Sequence, residues 1–197
     1  MKKRSQSKVF GIVPGGYVDR SQEWNRRPLP SLNIPPGRFE AWIAATDLPP
    51  YPGGRGASAC AWEILRCGEA APIISEVRPG RPIESDEQKA YVAGVLGVLE
   101  RLPAKSMVTI YCRAQWVVDA INGDLDKWKS QGRLGGKNAV AYAAIWKRIL
   151  ARRSQINSDV SAVSAQLLRS DDTKGQQIID RLTVEARRVR AKLGSRD

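Results

Sequence analysis

The sequence predicts one α/β domain built on a mixed five-stranded sheet, three antiparallel strands followed by parallel ones, with helices on both faces. Three observations carry that prediction. Three short apolar runs, FEAWIAAT, ASACAWEILRCGE and APIISEVRPG, follow one another with only turn-rich sequence between them, as strands of a meander do. A fourth run, VTIYC, passes straight into a helical pattern, RAQWVVDAI. Two further helical patterns flank a weak last strand, INSDVSAVSAQLL, and crossover helices between strands make the later pairings parallel.

A chain of 197 residues suits one such core with an extension, and is short for two. Residues 1–37 are rich in Pro, Gly, Arg and Ser (VPGGY, NRRPLPSLNIPPGR) and keep no period, so they read as an irregular, partly disordered extension ahead of a domain spanning 38–197. The first strand, Phe39–Thr46, ends at Asp47, and the prolines of DLPPYPGGRG then forbid regular structure. The helix in QKAYVAGVLGVLERLP places Val92, Val95, Leu96, Leu99 and Leu102 at helical spacing and closes at Pro103. The helix after VTIYC is expected to stop at Asn122-Gly123. A basic segment, LDKWKSQGRLGGK, leads to a helix carrying Tyr142, Trp146, Ile149 and Leu150 on one side. The C-terminal helix turns Ile178, Leu182, Ala186, Val189 and Leu193 inward, with Arg181, Arg187, Arg188, Arg190, Lys192 and Arg196 opposite, as a solvated face or as more of an anion-binding surface.

Composition narrows the function. The formal charge is +12 and the pI near 10.0, which favours a polyanionic partner, nucleic acid first. The chain has no histidine, and its cysteines, Cys60, Cys67 and Cys112, lack metal-ligand spacing; this argues against a zinc site and excludes histidine-based catalysis. The basic start, MKKRSQSK, is followed by no apolar run, so neither a secretory signal nor a membrane anchor is expected, and the cytoplasm is the expected compartment.

Four stretches together resemble the type-one ribonuclease H family. TDLPPYPGG stands beside the family's T-D-G-S and Gly/Pro loop, KAYVAGVLGVLERL beside its R-M-E-L helix, RAQWVVDAI beside D-S-Q-Y-V, and DKWKSQGRLGGKN with IWKRI beside its W-K-K-x-G-W and K-N-x-D-L-W segments. The resemblance covers about 39–193 and implies an RNase H-like fold that acts on RNA–DNA hybrids through four carboxylates and two Mg²⁺ ions. Residue by residue, Asp47 and Asp180 match the first and fourth carboxylates. The second position is Tyr91, a phenol and a poor metal ligand at neutral pH. The third is Arg113, a cation. The resemblance therefore implies a degenerate site in which Arg113 neutralises Asp47 and Asp180 in place of a metal, those two being the sole metal ligands if any metal binds. Glu84, Asp86 and Glu87, one to two turns before Tyr91, are acids within reach of the pocket under a shifted register.

The groups that would grip a duplex are better kept. Gln88, Lys89 and Gln115 match polar positions of the family, and Lys127, Trp128, Lys129, Arg133 and Lys137 resemble its basic protrusion, which grips the DNA backbone. The expectation is thus a catalytically inactive, RNase H-like binder of RNA–DNA hybrid or other duplex, without a cofactor and within a larger nucleoprotein complex, the N-terminal extension being a protein-docking element. Two alternatives stand beside it: a ribonuclease H active with Mg or Mn, and a protein-binding scaffold.

Overall fold

The expected meander lies at the centre of a wider sheet. In the computed structural model, which describes residues 8–13, 16–21, 29–48, 57–79, 86–157, 159 and 162–194, the strands are β1 (Lys8–Val13), β2 (Gly16–Ser21), β3 (Arg38–Leu48), β4 (Ala57–Arg66), β5 (Ile74–Pro79), β6 (Met107–Cys112) and β7 (Val163–Leu167). Their order is β2-β1-β5-β4-β3-β6-β7. Strands β3, β4 and β5 pair antiparallel, and β6 and β7 add parallel to β3. This is the predicted mixed sheet of the RNase H fold.

The expected irregular extension, residues 1–37, is corrected in two places. Strands β1 and β2 form a hairpin, and β1 pairs antiparallel with β5, with Phe10 opposite Val77 and Ile12 opposite Ser75. An edge hairpin draws its stability from the backbone ladder that β5 offers, so it needs no long apolar period and tolerates the Gly and Pro that obscured it. Residues 29–34 are also tied down: the Leu29 N–H donates to Glu100 Oε2 at 3.0 Å and the Leu32 N–H to the Arg101 carbonyl at 2.8 Å.

Helix α1 (Glu87–Arg101) covers one face of the sheet. Asp86 caps it, its carboxylate accepting the Lys89 N–H at 2.9 Å. A Cβ on Gly94 would stand 2.7 Å from Ile43 Cγ2, and one on Gly97 2.7 Å from the Trp62 ring, so these glycines let α1 lie close against β3 and β4. Helix α4 (Ala143–Ile156) packs beside it through Trp146, Ile149 and Ile156. The opposite face is covered by α5 (Thr173–Gly194), which buries Ile178, Ile179, Leu182, Ala186 and Val189 against Trp42, Ala44, Ala59 and Ala61.

The helix after β6 does not stop at Asn122-Gly123. It runs as α2 (Gln115–Asp119), a π-helical turn (Ala120–Asp124) and α3 (Leu125–Ser130). The Asn122 amide explains the difference: it donates to the Ala165 carbonyl and accepts the Ala165 N–H, both at 2.8 Å, spending on β7 the side chain that would otherwise end a helix.

Candidate nucleic-acid interface

Parallel strands β3 and β6 present their carboxyl ends to one side of the sheet, and ligands of open α/β folds sit beyond such ends. Here a cleft of about 930 Å³ opens there, with Asp47 from the end of β3, Glu87, Gln88 and Tyr91 from α1, Arg113 through Trp116 from the start of α2, and Thr183, Arg187 and Arg190 from α5 along its walls.

Arg113 follows the last residue of β6 directly and reaches across to α5. Its Nη2 donates to Asp180 Oδ1 at 2.7 Å and also to Gln176 Oε1. The pair is open to water, with 42% of the arginine and 66% of the aspartate side chain exposed. The expected joining of Arg113 to Asp180 is therefore present. Asp47 engages a different arginine: Arg190 Nη1 donates to the Thr46 hydroxyl at 2.7 Å and to the Asp47 carbonyl oxygen.

Tyr91 faces the cleft from a nearly buried position, and burial first, then the neighbouring Cys112 and Glu87, push its hydroxyl up to about 12. It stays a neutral phenol at any physiological pH. Of the two described acids ahead of it, Glu87 lines the cleft and Asp86 does not; burial and then the charge of Asp47 raise the Glu87 carboxyl above its ordinary value. Asp86 is spent as the helix cap and as acceptor of the Tyr142 hydroxyl at 2.6 Å. Glu84 lies outside the described residues. Among the described residues no group of three or more His, Cys, Asp or Glu is placed to hold a metal ion. With a protonated phenol and a guanidinium where the resemblance expects two carboxylates, the donor set around Asp47 does not fit a two-Mg²⁺ centre.

The other predicted contacts divide. Gln88 and Gln115 both line the cleft, and the Gln115 amide also donates to Asp119 Oδ1 at 2.8 Å. Lys89, at the first turn of α1, is half-buried. Lys127 and Lys129 lie on α3, and Arg133 and Lys137 in the loop after it; all four are exposed. Trp128 between them is not a free stacking surface: its ring packs edge-on against buried Trp146, 5.8 Å between centroids. From Trp146 the edge-to-face contacts continue to Trp116 at 6.3 Å and on to Tyr91 at 6.5 Å, so an aromatic chain joins the basic protrusion to the cleft floor.

Sequence reasoning did not place Trp116, Thr183, Arg187 or Arg190 in the site. The signal was there: Gln176, Asp180, Thr183, Arg187 and Arg190 recur at three- and four-residue intervals, the spacing of one ridge on α5.

A ribonuclease H-like fold with an arginine-lined cleft at its strand ends is the class that this geometry defines. The comparisons agree. A ribonuclease H from Lachnoclostridium phytofermentans is 34% identical over 116 residues, 57% of this chain and 69% of that relative. The RNase H domain of PFV superposes with a TM-score of 0.58 at 19% identity, over 77% of this chain and 94% of that domain. A foamy viral protease-reverse transcriptase in complex with RNA/DNA hybrid gives a TM-score of 0.52 at 15% identity, over 82% of this chain and 22% of that one. No family model matches. The chain belongs to the ribonuclease H family. No helix among the described residues is long and apolar enough to cross a membrane.

Proposed function

We propose that this chain holds a nucleic-acid duplex, RNA–DNA hybrid in first place, across its cleft and basic protrusion without cutting it. One observation carries the reading: at the end of β6, where the family resemblance places a metal-binding carboxylate, Arg113 forms an ion pair with Asp180 at 2.7 Å. A guanidinium there satisfies the remaining acid and repels a divalent cation, which removes the means of making a hydroxide nucleophile. Binding needs none of that. Exposed Lys127, Lys129, Arg133 and Lys137 neutralise phosphates and release counterions, and a hybrid is recognised by A-like shape, phosphates and 2′-hydroxyls. The hybrid bound by the foamy viral neighbour supports the choice of duplex.

The test is a labelled RNA–DNA hybrid incubated with the full chain in Mg²⁺ and in Mn²⁺. A gel shift that weakens with salt, with the RNA strand intact, is expected; cleavage abolished by Asp47→Asn would overturn the reading. The double variant Tyr91→Glu with Arg113→Asp restores the two missing acids and should cut where the parent does not.

A second reading, an active hybrid nuclease with a displaced acid, is favoured by Glu87, which shares the cleft with Asp47 and is raised in part by its charge. Under that reading Glu87→Gln and Asp47→Asn each abolish cleavage in Mn²⁺, and the unchanged chain cuts.

A further inference from the structure

The arginines that line the cleft differ in what each already holds, Arg113 being paired with Asp180. Of the side chains lining it, Arg113, Arg187 and Arg190 are cationic and Asp47 and Glu87 anionic. The arginines of α5 are not equivalent. Arg181 is committed elsewhere, its Nη2 donating to both oxygens of buried Glu63 at 2.6 and 2.9 Å. Arg188 is exposed and is not among the residues that line the cleft. Arg190 donates to a hydroxyl and a carbonyl, both neutral acceptors, and its Nε–H is buried without a partner. Arg187 is exposed along the cleft and makes no hydrogen bond or ion pair with the described residues. A guanidinium with two parallel N–H groups and no acceptor, held three residues from a second one on the same helix ridge, suits a tetrahedral oxyanion.

We propose that the cleft takes a phosphodiester group of the bound duplex directly on Arg187, beside the fixed cation of Arg190 and the exchangeable one of Arg113, so that this phosphate is held by guanidinium groups and needs no divalent ion. The inference rests on the duplex-binding reading above and deepens it. Thr183, one turn before Arg187 on the same ridge, lines the rim with its hydroxyl already donating to the Ile179 carbonyl at 2.7 Å, so the arginines are the donors that face the phosphate from α5. Trp116 and Tyr91 give the adjoining sugar an apolar floor. The acids lining the cleft, Asp47 at the end of β3 and Glu87 on α1, come from elements other than α5, and the Asp47 carbonyl holds Arg190 in place.

The experiment measures affinity of the full chain for a short labelled RNA–DNA hybrid in EDTA and in Mg²⁺, across a salt series, for the parent, Arg187→Gln, Arg187→Lys and Arg188→Gln. Arg188→Gln is the charge-matched control, one residue away and outside the cleft. The expected result is parent binding in EDTA, a roughly tenfold loss in Arg187→Gln with a log–log salt slope smaller by about 1, a slope kept by Arg187→Lys, and less than a twofold change in Arg188→Gln. Circular dichroism of each variant confirms the fold. If the parent binds but Arg187→Gln and Arg188→Gln behave alike, the inference fails and the duplex-binding reading stands. Binding that needs Mg²⁺ also overturns the inference. If the parent does not bind hybrid at low salt, the duplex-binding reading itself fails, and this inference with it.

Discussion

Two arginine–carboxylate pairs in this molecule look alike on paper and do opposite work. Arg101, in the last turn of α1, donates through Nε and Nη2 to Glu76 on β5, and its side chain is 6% exposed against 4% for the glutamate. Arg113 and Asp180 form their pair with 42% and 66% of their side chains in water. In the first, both charges have been taken out of water and each is the other's principal compensation; Arg101 Nη1 also holds the Pro30 carbonyl at 2.9 Å, so the pair pins residues of the N-terminal segment to the helix end. In the second, solvent competes for both partners, and the bond can be exchanged for a phosphate at small cost. Burial, more than geometry, decides which ion pair is architecture and which is a site.

The largest expected effect breaks the buried pair. Arg101→Ala leaves Glu76 charged, 3% exposed and without its guanidinium, a change that costs about 3–5 kcal/mol. In a domain of this size that lowers Tm by roughly 10 °C, measured by thermal or urea melts. A loss below about 1 kcal/mol would mean that Glu76 finds another partner or water, and the contrast between the pairs would collapse.

A smaller effect comes from Tyr91, which shares the cleft with Arg113 but is buried where Arg113 is not. Its hydroxyl is pushed up to about 12, although Arg113 pulls it the other way. The folded chain therefore keeps a proton that the unfolded chain releases near pH 10. That preference supports the fold in full below pH 10 and is lost as pH rises from 10 to 12, by about 2–3 kcal/mol. Tyr91→Phe should flatten that part of the alkaline limb of stability against pH. An unchanged limb would show that the cleft floor is wet, as the Arg113 pair is.

Legibility in the sequence followed the same division between buried and exposed. Strands β3 to β6 and helices α1, α4 and α5 were readable because their burial imposes a period, as in the Ile178, Leu182, Ala186 and Val189 stripe. The β1–β2 hairpin was not, since edge pairing is a backbone matter and leaves little mark on side-chain type. Asn122 looked like a helix stop because its local chemistry is that of one, and only the fold brings Ala165 within reach of its amide. The site behaved likewise. Asp47, Tyr91, Arg113 and Asp180 were placed by resemblance to a family motif, whereas Arg187 and Arg190 read as part of a basic face because a solvated arginine and one lining a cleft share the same spacing. Trp128 was placed in the basic protrusion by resemblance, and in the structure its ring packs against Trp146.

The smallest expected change in stability, and the most informative one for function, is made by Asp180→Asn. An exposed ion pair contributes about 0–1 kcal/mol, so melts should move little. Hybrid binding should respond in the opposite direction to that of a metal-dependent relative. If Asp180 were a metal ligand, removing its charge would weaken any divalent-ion-assisted contact. Here Asp180 is the internal competitor for Arg113, bound to its Nη2 at 2.7 Å. Neutralising it leaves the guanidinium facing only neutral amide oxygens, that of Gln176 and that of the substituted side chain, both weaker acceptors than a phosphate. Affinity in EDTA should therefore rise several-fold, and the log–log salt slope should steepen by up to about 1 as Arg113 joins the phosphate contacts. Combining the change with Arg113→Ala should erase the gain, because the asparagine then has no cation to release. A gain that survives in the double variant would assign it to the lost negative charge alone and remove Arg113 from the contact.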